Sequence, residues 1–383
     1  MTLEYRHGDT RPWIRYEDGT YEPVRLDDNL QNKRRGPGIP DWWLVDMPRR
    51  WTPEGNGYPF SDNHPSGPLT ARRDAAALPE LRLAKDEEGR IIRRTLSVRG
   101  LPREYEYAYD EQGRITEVSC NGSNREWYCY DARGRRAGDM LPAENNVKRS
   151  FEYNGDNRLL RAGKFWYEHD AYGFRSTRTD AAGRTRYLYA PSYRLLRVDL
   201  PQGTRVEYEY DDDDMPKSKR VNGMRVAEYR WLDMDRLDSF HHAGLDFSLL
   251  YHGDERLPYA MAGDAGVMYL RYDQAGSLLS VAGTNGAVVK YIEYDTFGNI
   301  LKDTNPALHI PLGFAGGLQD PHTGLVRFGW RHYDPETGRW TARDPMSPAG
   351  RDPYFYQYGF HDPLAGKGSA PKESSPPVPC PRR

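Results

Sequence analysis

Two aspartates ten residues apart, Asp334 and Asp344, are the pair in this chain best suited to acid–base chemistry. Carboxyl groups held close together repel when both ionise, which raises one pKa and lets the pair exchange protons with a substrate. Each also precedes proline, in Asp334-Pro335 and Asp344-Pro345, where aspartate often does no more than cap the backbone of a turn. Asp211, Asp212, Asp213 and Asp214 could attract a hard cation, but they lack the spaced ligands and glycine of a calcium loop, so a solvated turn is expected. His241, His242 and His252 have no cysteine or carboxylate at ligand spacing and are expected to be ordinary strand residues. No metal and no other cofactor is expected. Cys120 and Cys129 flank Asn121-Gly122. A hairpin centred near 122–123 would put them out of register, and both are expected to be free thiols of a reducing compartment. Phosphate-binding loops, Gly-x-Ser-x-Gly, His-Glu-x-x-His and Cys-x-x-Cys do not occur.

The elements that carry these residues follow from a repeat. The unit is an aromatic residue, Asp, two variable residues, Gly, often Arg, then an apolar stretch. It reads Tyr109-Asp110-Glu111-Gln112-Gly113-Arg114-Ile115 and Tyr130-Asp131-Ala132-Arg133-Gly134-Arg135, and returns as Tyr272-Asp273-Gln274-Ala275-Gly276 and Tyr294-Asp295-Thr296-Phe297-Gly298. Weaker copies begin at Asp86, Asn154, Asp170, Asp180, Asp199, Asp211 and Asp233. The steps Asp86 to Asp110, Asp110 to Asp131 and Asp273 to Asp295 are 24, 21 and 22 residues. Asp bonds backbone groups two residues on and Gly supplies positive φ, so each unit predicts a four-residue turn. The flanks alternate as half-buried strands do, with every Tyr of Glu104-Tyr105-Glu106-Tyr107-Ala108-Tyr109 on one face. Asn121-Gly122, Asn222-Gly223 and Asn285-Gly286 mark the opposite turns. The prediction is an all-β antiparallel hairpin ribbon of roughly twenty short strands.

Composition agrees with a ribbon that has little interior. Only 37% of the 383 residues are hydrophobic, and Tyr outnumbers Phe 28 to 11, so amphipathic rings carry much of the apolar area. A net charge of −2 gives no global reason to bind nucleic acid or anionic lipid. The many Arg beside Tyr are interleaved with Glu, so cross-strand ion pairs are expected rather than nucleic-acid or sugar stacking. No apolar run is long enough to span a membrane. The start of the chain lacks the charged-then-apolar pattern of a secretory signal, so the protein is expected to be cytoplasmic as made. Residues 1–80, rich in Pro, Gly and Trp, are expected to be mostly irregular, with the tryptophans packed on the first repeats. Residues 81–300 should form the repeats and 301–363 a distinct core. The stretch 364–383 should be a disordered tail.

The repeat resembles the YD repeat of Rhs proteins, and the segment after residue 300 sharpens the likeness. Residues Gly313-Phe314-Ala315-Gly316-Gly317-Leu318-Gln319-Asp320 and Thr323-Gly324-Leu325-Val326-Arg327-Phe328-Gly329-Trp330-Arg331-His332-Tyr333-Asp334-Pro335-Glu336-Thr337-Gly338-Arg339-Trp340 are similar to the Rhs repeat-associated core. Thr341-Ala342-Arg343-Asp344-Pro345 continues it, and Tyr356-Gln357-Tyr358-Gly359-Phe360-His361-Asp362-Pro363 is similar to its last stretch. The resemblance covers roughly residues 81–363. It implies a ribbon spiralling into a hollow shell, as in Rhs effectors, the B and C components of Tc toxins and, more distantly, teneurins.

In that family the shell sequesters a C-terminal toxin, which is released by self-cleavage at Asp-Pro-x-Gly-Leu through an aspartyl-protease-like site. By motif position the resemblance assigns Arg343 and Asp344 to that site. Here Asp362-Pro363 is followed by Leu364-Ala365-Gly366-Lys367, without the cleavage motif, so enzymatic activity is not expected. The favoured reading is a structural shell segment of a polymorphic toxin, possessing a cargo-enclosing or cargo-presenting role in interbacterial competition and exported by a specialised route such as type VI secretion. A carbohydrate-binding surface module and a self-cleaving core are the alternatives. Expected partners are another Rhs segment, a toxin cargo, an immunity protein or secretion machinery. Nucleic acid is not among them. Because the ribbon is too short to close, self-association through open sheet edges is also expected.

Overall fold

The computed structural model describes residues 80–98, 101–343 and 356–365, together with the backbone of three short strands, Thr2–Tyr5, Pro12–Arg15 and Tyr21–Pro23. Those three strands pair antiparallel as a sheet of their own, within the stretch expected to be irregular. The tryptophans of residues 42–51 and the tail 366–383 lie outside the described residues.

From Glu80–Lys85 to Ile300–Asp303, 22 strands follow one another, each pairing antiparallel with the next. No ladder joins the first of them to the last, so the ribbon is open rather than a closed barrel. Among the described residues no α-helix occurs; a few three-residue helical turns interrupt the strands.

The repeat builds one rim of the ribbon by a fixed set of bonds. In Asp110–Arg114 the Asp110 N–H donates to Arg114 O (2.9 Å) and Gly113 N–H to Asp110 O (3.0 Å). Asp110 Oδ1 accepts the N–H groups of Gln112 and Arg114, and Oδ2 accepts Arg114 Nε at 2.6 Å. Asp86 and Asp131 hold Arg90 and Arg135 in the same way. Gly113, at φ +78°, takes the left-handed conformation that a side chain resists.

In several repeats the tyrosine at the head of the turn ties its repeat to the previous one. Tyr130 Oη donates to Ile115 O at 2.7 Å, and its ring lies under the Arg114 guanidinium at 4.4 Å. Tyr109 makes the same pair of contacts with Ile91 O and Arg90, and Tyr153 with Arg136 O and Arg135. Trp231 Nε1 and Tyr251 Oη reach Pro216 O and Leu237 O. Each such hydrogen bond contributes about 1 kcal/mol, and each exposed stacked cation about 0.5–1 kcal/mol. The recurring order of aromatic, Asp, Gly and Arg is therefore one joint between neighbouring hairpins.

Two expected copies fall elsewhere. Asp180 and Asp199 end strands at the opposite rim, where Asp180 pairs with Gly183 and the turn closes from Leu200 to Thr204. The repeat turn between them is Ala190–Arg194, in which Tyr193 takes positive φ in place of glycine. On that rim Asn121 and Gly122 both have positive φ, so the hairpin centres at 121–122 and Cys120 faces Ser123, one register earlier than expected. Cys129 faces Gly138. Cys120 is a buried free thiol, whereas Cys129 is disulfide-bonded, which corrects the expectation for that residue. On the outer face Arg93–Glu106 (3.1 Å), Arg161–Glu152 (3.3 Å) and Arg220–Glu209 (2.9 Å) are the cross-strand ion pairs read from the sequence.

Residues 310–343 and 356–365 fold inside the ribbon. Four short strands, Leu318–Gln319, Val326–Phe328, Arg331–Asp334 and Arg339–Trp340, make a second sheet. Its aromatic rings stack on one another: Tyr333 and Tyr358 lie 4.4 Å apart, and Phe314 stacks on Tyr333 at 5.8 Å. This cluster is continuous with Leu237, Phe240, Leu278 and Ile292 of the ribbon, so the largest apolar core lies between ribbon and insert. The thin interior read from composition is filled by the chain's own C-terminal segment.

Candidate functional site

An apolar residue commonly opens the strand after a repeat turn and points inward, although Ile300, in the same position, is exposed. Ile115, Leu195, Leu237 and Leu278 occupy that position and are fully buried. Two repeats break the rule by placing arginine there, Arg136 and Arg175, and both are as buried as the leucines. These two breaks mark where the ribbon receives the inner segment.

Arg175 Nη1 reaches Asp334 Oδ2 at 2.7 Å. Asp334 Oδ2 also accepts Thr337 Oγ1 (2.9 Å), and its Oδ1 accepts the Glu336 N–H (3.1 Å). Burial works to raise the Asp334 pKa, but Arg175 and Arg178 outweigh it and hold the carboxyl below the ordinary value. Glu336 lies beside it, contacted by Arg178 Nη2 at 2.5 Å and Arg149 Nη1 at 3.3 Å. Here burial wins over both cations, with Asp334 adding repulsion, and the carboxyl is pushed up to about 7. Arg149 is itself held by Asp139 through Nε at 2.8 Å. Arg136 bonds Asp139 at 3.2 Å and stacks on Phe297 at 4.0 Å.

A second socket lies farther along the ribbon. Lys219 Nζ meets Asp320 Oδ1 at 2.6 Å and His322 Nδ1 at 2.9 Å, while Tyr208 Oη donates to Asp320 Oδ2 at 2.5 Å. Burial would raise the Asp320 pKa, yet Lys219 brings it below the ordinary value. Bonds to backbone carbonyls complete the attachment: Tyr333 Oη to Phe297 O, Arg339 Nη2 to Asn157 O, Tyr356 Oη to Gly173 O and Gln357 Nε2 to Gly134 O. Asp320, Asp334 and Glu336 are on the insert, and Lys219, Arg175, Arg178 and Arg149, which meet them, are on the ribbon.

The sequence-derived candidates fare as follows. Arg343 is exposed, and Asp344 lies outside the described residues. Asp334 is an ion-paired turn cap, serving both the backbone and Arg175. Asp211 caps its own turn through the N–H groups of Asp213 and Met215, Asp212 and Asp213 are exposed, and Asp214 pairs with Arg194 at 2.9 Å. His241 sits 3.2 Å from Asp246, His242 stacks on His309 at 4.3 Å and His252 on Tyr259 at 4.0 Å. Among the described residues no group of three His, Cys, Asp or Glu is placed to hold a metal. The sockets went unread in the sequence, although arginine in a leucine position at 136 and 175 was their visible signal.

Two recesses between ribbon and insert each offer only about 20 Å³ to a water-sized sphere. Arg94, Asp273, Glu293, Asp295 and Leu364 help line the first, and Tyr208, Asp320 and His332 the second. Neither approaches the size of a folded domain. No helix among the described residues is long and apolar enough to cross a membrane.

Comparison with known proteins matches residues 73–364 to the Teneurin YD-shell family. Teneurin-3 of Danio rerio is 28% identical over 294 residues, covering 73% of this chain and 11% of its own length. Teneurin-4 of Mus musculus is 29% identical over 268 residues, covering 68% and 10%. Teneurin-m of Drosophila melanogaster is 28% identical over 267 residues, covering 67% and 9%. The chain thus spans about a tenth of the length of these relatives. A similar solved structure is the crystal structure of TcdB2-TccC3-TEV, 14% identical, with a TM-score of 0.48, covering 76% of this chain and 18% of that one.

Proposed function

This chain belongs to the Teneurin YD-shell family, and from that premise we propose that it is a shell segment that presents a polypeptide cargo, a toxin delivered in interbacterial competition. The observation that carries the reading is the occupied interior. The ribbon curves around residues 310–343 and 356–365 and fixes the first of these stretches through buried ion pairs at Asp320, Asp334 and Glu336. A segment held this firmly gives whatever follows it a rigid point of departure. The same occupancy favours presenting over enclosing, since the recesses between ribbon and insert have room for about one water each.

The test is a fusion of the full chain, after Arg383, to a reporter domain with a known protease cleavage rate. Presentation against the shell predicts slower cleavage of the fused reporter than of the free one. Equal rates would overturn the proposal. Intact-mass measurement of the unfused protein separates the self-cleaving alternative built on Arg343 and Asp344, which a stable 44.1 kDa species rules out. A glycan array addresses the adhesion alternative, for which Trp166, Tyr172 and Trp330 are exposed rings among the described residues.

A further inference from the structure

In the two sockets the buried charges of the insert meet opposite charges, Asp334 with Arg175 and Asp320 with Lys219. Arg327, on the inner strand Val326–Phe328, does not. It is 6% exposed, and among the described residues no carboxylate forms an ion pair with it. Its contacts are neutral and long. Nη2 stands 3.4 Å from Asp214 O and 3.7 Å from Met215 Sδ, and the guanidinium lies 5.7 Å from the Trp231 ring. The acidic groups that act on it from farther off, Asp211 and Asp214, sit in a partly exposed turn. There Asp211 caps the backbone and Asp214 pairs with Arg194 at 2.9 Å. Burial is the main influence on Arg327 and pulls its pKa down to about 10, the response of a cation short of a counter-ion.

A second polar group faces the same place. Arg327 and His332 are cross-strand partners in the inner sheet, so their side chains leave it on one face. His332 is also 6% exposed, and its Nδ1 is buried without a partner. Burial, and then Arg327, takes the imidazole pKa down to about 3, so the ring is neutral and has one N–H to place on either nitrogen. Both residues line the recess against Tyr208, Tyr210 and Tyr229 of the ribbon, which has room for about one water. Asp320 lines it too, but Lys219 at 2.6 Å matches its charge. Its oxygens also accept Tyr208 Oη and the N–H groups of His322 and Thr323. Taken together, Lys219, Asp320 and Arg327 leave one positive charge at the recess.

We propose that this recess binds a monatomic anion, a chloride ion, between the Arg327 guanidinium and the Nδ1–H of His332. A chloride ion is little larger than a water, carries the single negative charge the site lacks, and asks only for donors, which both residues supply. A water would satisfy the imidazole and leave the charge uncompensated, and a phosphate exceeds the space. Arg327 and His332 belong to the insert and the three tyrosines to the ribbon, so the site exists only when the two are docked. The ion therefore stabilises the folded protein by mass action.

The test follows denaturant unfolding of the full chain while sodium chloride replaces sodium isethionate, whose anion is too large for the recess, at fixed ionic strength. Above the dissociation constant, each tenfold rise in chloride should raise the folded-to-unfolded ratio about tenfold, and bromide should substitute for it. The dependence should vanish in Arg327→Gln. It should weaken in His332→Phe, which keeps a ring beside Tyr189 and Tyr208 and removes Nδ1. Because the readout is the dependence on chloride, a variant that is merely less stable still reports, and His332→Phe decides should Arg327→Gln not fold. Equal wild-type stability in chloride and isethionate overturns the proposal, as does a chloride dependence unchanged in the variants. Bromide found in the recess by anomalous diffraction, with solution curves that coincide, means binding at crystal concentration only and overturns it as well. The fusion test of presentation does not depend on this result.

Discussion

The ribbon and the segment it surrounds are held together by different physics. Along the ribbon the joints between neighbouring hairpins are local and repeated: Tyr130 bonds Ile115 and lies under Arg114, and Tyr153 does the same one repeat later. Between ribbon and insert the joints are distant in sequence and individual, as in Arg175–Asp334 and Lys219–Asp320. The first kind contributes many small, independent increments, as expected when each unit contacts only its neighbours. The second concentrates charge in a water-poor interior, where a pair barely repays its desolvation but an orphaned partner is very costly.

That contrast can be broken most forcefully at Asp334. Asp334→Ala strands Arg175 in the interior and should destabilise the protein by about 3–5 kcal/mol in denaturant unfolding. A loss below about 1 kcal/mol would mean that the sockets are hydrated and no different from surface pairs. In the periodic part, Leu195→Ala removes a fully buried side chain from one repeat and should cost about 2–5 kcal/mol, less where neighbouring hairpins relax into the space.

A third measurement is pH dependence. Glu336 is raised to about 7, so its contribution is present when it is protonated and is lost as pH rises through that value. Stability should decline from about pH 5 to about pH 8, and Glu336→Gln should flatten the decline. An unchanged slope in the variant would assign the effect to other groups. The smallest effect is expected at a single rung. Tyr130→Phe removes one hydroxyl bond and keeps the stacked ring, for a loss of about 1 kcal/mol. Several rungs removed together should add nearly independently, whereas combined socket variants should not.

The same division decides what the sequence disclosed. The turns at Asp110 and Asp131 and the alternation in 104–109 are local patterns, so strand order and ribbon length could be read directly. Asp180 and Asp199 were misplaced because an Asp before a strand end looks the same at either rim. Ala190–Arg194 was missed because Tyr193 stands in for the glycine. At the site, Asp334 could be named from its neighbour Pro335, but its partner Arg175 is 159 residues away, and no spacing connects them. The bond from the Thr296 N–H to Glu126 is hidden for the same reason, since only the curvature of the whole ribbon brings the two together.

The tyrosine rungs all run in one direction, each from a later residue to an earlier one. A chain emerging from the ribosome can therefore latch each new hairpin onto one already made, without waiting for anything downstream. The insert, by contrast, is synthesised last and finds its sockets already in place. Ribosome-stalled chains cut off at successive repeats should accordingly gain protease resistance stepwise up to residue 303, and acquire the inner core only once residue 365 has left the exit tunnel.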